Sequence, residues 1–261
     1  MTDRTTVYLV GAGPGDPELL TVKAKRLIEM ADVVVYDRLV SPEIMALVPP
    51  GAARFNVGKQ PHNHPVPQTD INELLVALAR DGRTVVRLKG GDPFLFGRGS
   101  EEAAALRHHG VPYEVVPGIT SASGCAAALR MPLTHRGIST GVRFVTGHCR
   151  DDIDLDFDWR GLADSQTTLV VYMGMANMAD IVDKLIENGL PEKTPAVAIT
   201  SGTTPRQRHV AASLGEIVDV AEGFDGPVLF IVGQVAALAD IPVLVSEGGA
   251  NVESPMCVGV R

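Results

Sequence analysis

The sequence contains little cysteine, and no spacing pairs the cysteines that it has. They are Cys125, Cys149 and Cys257, an odd number scattered over 261 residues, and no CxxC spacing occurs. A disulfide framework or a cysteine-based zinc site is therefore not expected, and the pattern favours a reducing compartment. A chain of this length can bury a substantial core without covalent cross-links.

Long hydrophobic runs are also absent. The longest apolar segments, LVVYM and PVLFIV, are far below the ~20 residues that a membrane-spanning helix requires. The N-terminus shows no basic region followed by a long apolar stretch, so we expect no signal peptide. Together with the cysteine content, these features predict a cytoplasmic protein that does not associate with a membrane.

Positive charge is the scarcer of the two signs. The chain has 23 lysines and arginines against 31 aspartates and glutamates, which gives a formal net charge of −8. A nucleic acid is therefore not expected as the main partner, because binding to its phosphates requires a basic surface. A small anionic ligand stays compatible with this charge, since a local arginine cluster can outweigh the overall balance.

What the sequence does contain is a regular alternation of apolar, β-branched runs with helical segments. The runs that predict strands are VYLVG, VVVY, TVVRL, YEVV, VRFVTG, TLVVYMG, PAVAIT and PVLFIVG. Asp16 and Pro17 are expected to begin the first helix, as N-cap and first-turn residue. The alternation predicts an α/β protein of two αβα lobes with mostly parallel sheets, at residues 1–131 and 140–242, and a ligand in the cleft between them.

Three segments lie outside this pattern. Residues 243–261 are expected to form a weakly structured tail. The acidic run at 151–158 lacks the ligand spacing of a calcium loop, so a solvated loop is the preferred interpretation. His62 and His64 stand in the proline-containing segment KQPHNHPVPQ, which is typical of an exposed loop. No bound metal is therefore expected.

The first glycine-rich loop is GAGPGD at residues 11–16, between a predicted strand and a predicted helix. Its first two glycines match the dinucleotide-binding pattern GxGxxG, and Asp37 stands near the expected position of a ribose-binding acid. The third glycine position, however, is Asp16, and Pro14 removes a backbone donor that a phosphate would need. An NAD-dependent oxidoreductase is therefore the second interpretation of this loop.

The second glycine-rich loop, LKGGDPFLFGRGSEE at residues 88–102, follows another predicted strand. Both loops are expected at the same edge of the sheet, where parallel strands end. Gly90 and Gly91 would let a ligand approach the backbone closely, and Asp92 can accept hydrogen bonds. The lysine precedes the glycines, so this segment is not a Walker phosphate loop.

Several longer motifs occur in a fixed order: VYLVGAGPGDPELLT, VVVYDRLVS, VGK, RLKGGDPFLFGRGSEE, VVPGITSA, MPLTHRG and VVYMG. With these motifs the chain resembles the tetrapyrrole methylase family over nearly its whole length, in the stand-alone form without a fused dehydrogenase-chelatase domain. The resemblance implies a class III methyltransferase-like fold, a homodimer, and S-adenosyl-L-methionine folded in the interlobe cleft. It also implies that GAGPGD does not bind a dinucleotide.

The activity implied by the resemblance is C-methylation of uroporphyrinogen III at C2 and C7. The products would be precorrin-2, which feeds cobalamin, sirohaem or haem d1 synthesis, and S-adenosyl-L-homocysteine. An alternative is another methylase of the same family, acting on a later corrinoid or on a substrate that is not a tetrapyrrole. The arginines of FGRG and THRG favour the polycarboxylate macrocycle, because guanidinium groups bind carboxylates in pairs of hydrogen bonds.

The resemblance also implies roles for individual residues. Asp37 matches the family's proposed proton acceptor and Lys59 its proposed proton donor. From the residues alone, Asp37 is also compatible with an N-cap or ion pair, and Lys59 with a solvated lysine. Arg98 and Arg136 are expected to bind the substrate. Glu101 would orient Arg98 in the catalytic site, or would simply favour the dipole of its helix.

The donor contacts implied by the family pattern fall mainly in the glycine loops and the VVPGITSA motif. They are Pro14, Gly90, Gly91, Asp92, Leu95, Thr120, Ser121, Met173 and Gly202. Ser121 departs from the alanine that is common in the family. Met173 is expected to line both the donor and the substrate pocket, and its alternative interpretation is an ordinary core methionine.

Overall fold

The computed structural model describes residues 6–58, 66–148 and 155–240. The strands in the first half of the chain are β1 (Val7–Gly11), β2 (Val33–Tyr36), β3 (Ala53–Asn56), β4 (Val85–Lys89) and β5 (Tyr113–Val116). The helices there are α1 (Val22–Glu29), α2 (Pro42–Met45), α3 (Gln68–Leu78), α4 (Gly99–His108) and α5 (Ser121–Ala128). The second half contains strands β6 (Gly141–Thr146), β7 (Thr167–Tyr172), β8 (Pro195–Thr200), β9 (Arg208–Ser213) and β10 (Val228–Val232). Its helices are α6 (Trp159–Leu162), α7 (Met178–Glu187) and α8 (Ile217–Val220).

The first sheet has the strand order β3-β2-β4-β1-β5, and all of its strand pairs are parallel. Its valine-rich strands are buried on both faces, by α3 and α4 on one side and by α1 and α2 on the other. This double burial explains why the strands are continuous apolar runs in the sequence. Since parallel strands all end at one edge, the loops after β1, β2 and β4 come together there.

The second sheet has the order β6-β7-β10-β8-β9 and is mixed. Only β6 and β7 are parallel, whereas β10 pairs antiparallel with both β7 and β8, and β8 pairs antiparallel with β9. The α/β fold of two sheets is thus confirmed, but the expectation of parallel strands is wrong for most of the second sheet. The physical reason is a short connection at residues 201–207, which contains no crossover helix and so joins β8 and β9 as a hairpin.

Helix α7 shows how the second sheet is covered. Its buried residues are Met178, Ile181, Val182 and Leu185, which recur at the three- and four-residue spacing that places side chains on one helical face. This face packs into a core with the strand residues Val171 and Phe230. The sequence pattern therefore determines both the helix and the side on which it is buried.

Helix α5 comes before the predicted lobe boundary at residue 131, yet its buried face packs against the second sheet. Ala122, Cys125 and Ala126 share a core cluster with Val197 and Ile199. The boundaries at 1–131 and 140–242 remain predictions. The tail at 243–261, His62, His64 and residues 151–154 of the acidic run lie outside the described residues.

The start of the first helix differs from the sequence expectation. Asp16 accepts a hydrogen bond from the amide of Glu18, but it caps only a 3-10 turn at Pro17–Leu19. Leu20 is extended, and Thr21 then caps α1 by accepting from the amide of Ala24 at 3.1 Å. Asp16 and Pro17 therefore correctly predicted a helical turn. The longer helix α1, however, begins after a second N-cap residue, Thr21.

Among the described ranges, no helix combines the length and apolar character needed to cross a bilayer. The same part of the chain brings no three His, Cys, Asp or Glu side chains into a cluster suited to a metal ion.

Candidate active site

The two glycine-rich loops meet at the C-terminal edge of the first sheet. The amide of Ala12 donates to the carbonyl of Lys89 at 2.7 Å, which extends the contact between β1 and β4. Beyond it, Gly13 and Gly91 exchange two backbone hydrogen bonds of 3.1 and 2.7 Å. These bonds make the two loops a single backbone platform at this edge of the sheet.

Close packing of backbone explains why this platform is built from glycines. A Cβ on Gly118 would overlap the carbonyl oxygen of Gly91 and would lie 2.8 Å from the Cα of Gly11. Asp92 joins the same packing, because its Oδ1 accepts from the amide of Phe94 at 2.8 Å and its Oδ2 from the amide of Gly118 at 3.1 Å. Asp92 thus holds the loop after β4 against the loop after β5. Its predicted contact with the donor stays a prediction.

The two glycines of KGGD have different surroundings. A Cβ on Gly90 would lie 2.6 Å from the Cβ of Leu39, so there is no room for a side chain at this position. Gly91 has a φ of +66°, and no atom lies within 4 Å of the position that its Cβ would take. The side of Gly91 on which a side chain would project is therefore open, so a ligand can approach the loop closely there.

Residues at the start of α5 form the neighbouring wall. Thr120 caps the helix, with its hydroxyl accepting from the amide of Ser123 at 3.4 Å, and Ser121 is half-buried. The amide of Ala122 donates at 3.1 Å to the hydroxyl of Tyr172, which ends β7 of the second sheet. This hydrogen bond links the two halves of the candidate site.

Tyr172 is a site residue that the sequence interpretation missed. Its ring contacts Phe96 and Phe144, with centroid distances of 5.1 and 5.9 Å. Burial raises the pKa of Tyr172 above its ordinary value, so its hydroxyl stays neutral. The available signal was an aromatic residue at a strand end, directly before Met173 in VVYMG.

The loop at residues 11–16 also contacts the segment after β8. The amide of Asp16 donates to Thr203 Oγ1 at 3.3 Å. Pro14 lies against Gly124 of α5, since a Cβ there would be 2.5 Å from the Pro14 Cγ. Two of the loop's amides, at Gly13 and Asp16, are therefore already bonded to protein atoms. This arrangement does not suit a dinucleotide pyrophosphate, which needs such groups free.

Strained backbone occurs at several residues in or next to the candidate site. Non-glycine residues with a φ between +50° and +65° include Phe96, Arg98, Met173, Ser201 and Thr203. Each of these conformations is unfavourable by itself and persists only where the surrounding structure imposes it, which is common at functional sites. Met173 is also 45% exposed, so its interpretation as an ordinary core methionine is wrong.

The predicted substrate-binding arginines are both exposed. Arg98 Nε and Nη2 donate to the two carboxylate oxygens of Glu101 at 2.8 and 2.7 Å. This paired bond raises the pKa of Arg98 and fixes the plane of its guanidinium. Arg136 lies in the turn between His135 and Ser139. Leu95 is half-buried within the loop that carries Arg98.

Asp37, the predicted proton acceptor, follows β2 at the same sheet edge. Its Oδ1 accepts from the amide of Leu39 at 3.0 Å, and its Oδ2 lies 3.8 Å from Arg87 Nη1. The ion pair was one of the two alternatives to a catalytic role. The other, an N-cap, is wrong, because Ser41 caps α2 and Asp37 forms only a local turn. Neither contact occupies Oδ2 with a hydrogen bond. Lys59, the predicted proton donor, lies outside the described residues.

A group of buried charges adjoins Asp37 and was also missed from the sequence. Arg87 and Lys89 on β4 are each 3% exposed, and Glu102 on α4 is fully buried between them. Burial is the main cause that lowers the pKa of Lys89, followed by the nearby charge of Arg87. The available signal was a pair of cations within the apolar strand VVRLK, which must find an anionic partner when buried.

Gly202, a predicted donor contact, packs against α5 in the structure. A Cβ at this position would overlap the Sγ of Cys125, whose thiol pKa is raised to about 12 by burial. The backbone of Gly202 has no positive φ that would itself exclude alanine. The clash with sulfur is therefore the main obstacle to a side chain here.

We expect Gly202→Ala to lower the free energy of unfolding by about 1–3 kcal/mol, the usual effect of overpacking. Combining it with Cys125→Ala should recover at least about 1 kcal/mol relative to the sum of the single changes, because the sulfur is removed. Urea denaturation of the four proteins without ligand measures this coupling. Strictly additive losses would show that the contact with the sulfur does not limit this position.

The chain is similar in sequence and in fold to known proteins. The family model described as tetrapyrrole (corrin/porphyrin) methylases matches residues 6–218. A uroporphyrinogen-III C-methyltransferase of Paracoccus denitrificans is 54% identical over 243 residues, which cover 92% of this chain and 85% of that protein. A siroheme synthase of Chromobacterium violaceum is 53% identical over 90% of this chain, which spans 50% of that longer protein.

A solved structure is similar as well. It is the uroporphyrin-III C-methyl transferase of Thermus thermophilus complexed with S-adenyl homocysteine, at 43% sequence identity and a TM-score of 0.77. The match covers 89% of this chain and 99% of that one. From the family match, these relatives and the shared fold together, we conclude that the chain belongs to the tetrapyrrole methylase family.

Proposed function

We propose that this protein transfers methyl groups from S-adenosyl-L-methionine to C2 and C7 of uroporphyrinogen III, which yields precorrin-2. The observation that carries the proposal is the glycine platform, whose open backbone at Gly91 lies in the same loop as the ion-paired Arg98. The relative from Paracoccus denitrificans carries the name of this activity. The Thermus thermophilus structure was solved with S-adenyl homocysteine.

The residues around Gly91 fit a sulfonium donor. Bound S-adenosyl-L-methionine supplies an electrophilic methyl group on a positively charged sulfur. A free carboxylate beside that sulfur would stabilise the reactant, whose charge disappears during transfer, and would slow the reaction. Both oxygens of Asp92 are held by backbone amides, so the platform presents mainly neutral backbone groups. Thr120 and Ser121 at the start of α5 add polar groups to the same wall.

The acceptor side of the proposed site is basic and aromatic. Uroporphyrinogen III carries eight carboxylates, for which planar guanidinium groups are well suited. Arg98 is held in one orientation by Glu101 while its side chain is 57% exposed. Phe94 and Phe96 are partly exposed in the same loop and offer apolar surface to a macrocycle. Arg136 and Met173 complete the proposed substrate contacts.

Asp37 is the proposed proton acceptor. The pyrrole carbon that gains a methyl group is already fully substituted, so alkylation leaves a positive charge on the macrocycle. That charge is removed when another atom of the alkylated ring loses a proton, which requires a base within hydrogen-bond reach. The Oδ2 atom of Asp37 lies at the sheet edge, and its ion pair with Arg87 at 3.8 Å is longer than a hydrogen bond. This geometry supports the assignment, because it leaves a carboxylate oxygen available. Lys59 remains the proposed proton donor.

We further propose a cytoplasmic homodimer whose product feeds cobalamin, sirohaem or haem d1 synthesis. Support for the pathway comes from the relatives named siroheme synthase. A different methylase substrate is the main alternative. The NAD-dependent oxidoreductase is disfavoured, because Pro14 has no amide hydrogen and the amides of Gly13 and Asp16 are occupied.

The test is anaerobic incubation with uroporphyrinogen III and methyl-labelled S-adenosyl-L-methionine, followed by mass analysis of the tetrapyrrole. We expect two labelled methyl groups per product molecule. Thermal stabilisation by S-adenosyl-L-homocysteine, and none by NAD, is the expected binding result. Unlabelled tetrapyrrole together with stabilisation by the homocysteine would point to another methylase substrate, and stabilisation by NAD alone would overturn the proposal.

A further inference from the structure

A cluster of buried charges lies next to the candidate proton acceptor. Glu102 Oε1 accepts hydrogen bonds from Arg87 Nε at 3.0 Å and from Lys89 Nζ at 2.9 Å. Exposure of these three residues is 3% or less. Burying ions is unfavourable even when they are paired, and apolar side chains of similar size often stabilise a fold equally well. Stability alone therefore does not explain why the cluster is charged.

Arg87 is shared between two carboxylates. Its Nε forms a direct hydrogen bond with Glu102, whereas its Nη1 lies 3.8 Å from Asp37 Oδ2. The same Nη1 donates to the carbonyl of Leu88 at 3.1 Å and approaches that of Val35 at 3.5 Å. These contacts hold the guanidinium group of Arg87 close to Asp37 but too far away for a direct hydrogen bond.

Glu102 also connects this cluster to the loop that carries Arg98. Arg98 is the N-cap of α4, and its carbonyl accepts from the amide of Glu102 at 3.3 Å. In the first turn of this helix, Glu101 faces outward to Arg98 and Glu102 faces inward to Arg87. Lys89 passes beneath the same loop, since a Cβ on Gly97 would lie 3.3 Å from its Cε. One turn of helix thus joins the proposed substrate-binding and proton-accepting ends of the site.

The side chains around Glu102 come from three elements. Arg87 and Lys89 face it from β4, and Gln68 of α3 approaches Oε1 with its Nε2 at 3.4 Å. Asp37, from the end of β2, faces Arg87 on the other side. Glu102 Oε2 is buried and has no hydrogen-bond partner among the described residues. A glutamine amide would therefore fit at this position while Oε1 keeps its acceptor role.

We propose that Glu102 is a positioning residue for methyl transfer. By binding Arg87 and Lys89 from below, it prevents Arg87 from closing on Asp37 and leaves Asp37 Oδ2 free to take the proton. This inference rests on the proposed function, since it assigns a role within the same site. Neither the sequence motifs nor the family resemblance assigned a role to Glu102.

Glu102→Gln tests the proposal, because it keeps the shape of the side chain and removes only its charge. With Glu102 neutral, Asp37 becomes the only anion among these four residues, and Arg87 should bind it directly. We expect kcat for uroporphyrinogen III to fall by about 10- to 100-fold, which is less than the roughly 100- to 10,000-fold loss on removing a general base, because Asp37 itself is retained. The acid limb of the kcat profile should move to lower pH by roughly one unit, because a closer guanidinium favours the ionised carboxylate. Affinity for S-adenosyl-L-homocysteine should stay within about twofold, as expected for a residue outside the donor platform.

Lys89→Met is the matched control. This change also removes one buried charge, the ammonium group that binds Glu102. It leaves the hydrogen bond between Glu102 and Arg87 in place. Loss of a positive charge near Asp37 should move the acid limb to higher pH or leave it unchanged. A shift of the acid limb to lower pH in Glu102→Gln but not in Lys89→Met distinguishes positioning from a general loss of stability, which would affect both variants alike.

The double variant Lys89→Met with Glu102→Gln covers the case in which the single glutamine variant does not fold, because it restores the balance of buried charge. We expect it to retain the low kcat and the shifted acid limb of Glu102→Gln. Wild-type kcat and pH profile in a folded Glu102→Gln or double variant would overturn this proposal alone. Failure of the wild-type protein to methylate uroporphyrinogen III in the same series would overturn the proposed function, and this inference with it.

Discussion

Replacing Gly91 by alanine should abolish donor binding while leaving the protein folded. The new Cβ would project into the open space beside the backbone, where no atom lies within 4 Å. Because the φ of Gly91 is +66°, the substitution should also lower the free energy of unfolding by about 1–2 kcal/mol, the usual penalty for a side chain in this conformation. Titration with S-adenosyl-L-homocysteine should show an affinity at least about 100-fold weaker. The homocysteine at about 100 times its wild-type Kd, which stabilises the wild type by about 2.7 kcal/mol, should have little effect on the variant.

Gly110→Ala provides a matched control for this prediction. Gly110 follows α4, has a φ of +64°, and likewise has no atom within 4 Å of its Cβ position. The backbone penalty should therefore be about the same in both variants, at about 1–2 kcal/mol. Only Gly91→Ala should lose the response to the homocysteine. Normal binding by Gly91→Ala would mean that the donor does not approach this face of the platform.

Replacing Arg98 by alanine should impair the reaction through the substrate and not through the donor. Arg98 is exposed and fixed by two hydrogen bonds to Glu101. Loss of a charged hydrogen-bond donor to a substrate carboxylate weakens transition-state binding by about 1.5–3 kcal/mol, so kcat/KM for uroporphyrinogen III should fall by about 10- to 100-fold. Affinity for S-adenosyl-L-homocysteine should be nearly unchanged. Steady-state kinetics and ligand titration of the same preparation provide both measurements.

Arg130→Ala is the appropriate comparison, because Arg130 shares the features of Arg98 that do not concern catalysis. It has a φ of +51°, is exposed, and forms an ion pair with Asp240 at 2.7 Å. Exposed pairs contribute only about 0–1 kcal/mol, so both variants should be nearly as stable as the wild type. Arg130→Ala should retain full activity. If Arg98→Ala instead lost the homocysteine and kept its kcat/KM, the arginine would belong to the donor site.

The position of a candidate site residue was predictable from the sequence wherever that position depends on the residue's own loop. Asp37, Gly91 and Arg98 stand directly after predicted strands or within a glycine-rich loop, and parallel strands bring such loops to one edge. The buried ion pairs of Arg87 and Lys89 were not predictable in this way. Their spacing on β4 showed cations in an apolar strand, but their partner Glu102 comes from a helix that packs against the sheet.

The adjacent glutamates of FGRGSEE show this limit most clearly. Glu101 is 50% exposed and binds Arg98, whereas Glu102 is fully buried and binds Arg87 and Lys89. In the sequence the two residues are chemically identical neighbours. Successive residues of a helix point about 100° apart, so the orientation of α4 on the sheet decides which glutamate is buried.

By itself the sequence determined three features. These are the strands that consist of continuous apolar runs, the glycine-rich loops, and the membership of the family. These features depend on local patterns, since double-sided burial requires continuous apolar strands and close backbone contact requires glycine. Only the tertiary structure decided the antiparallel pairing of β8, β9 and β10, the contact of Gly202 with Cys125, and the buried network around Glu102. The strand pairing and the contact of Gly202 with Cys125 join residues that are distant in the chain. The network around Glu102 depends on which of two adjacent glutamates is buried. In each case, packing between helices and strands decides the outcome.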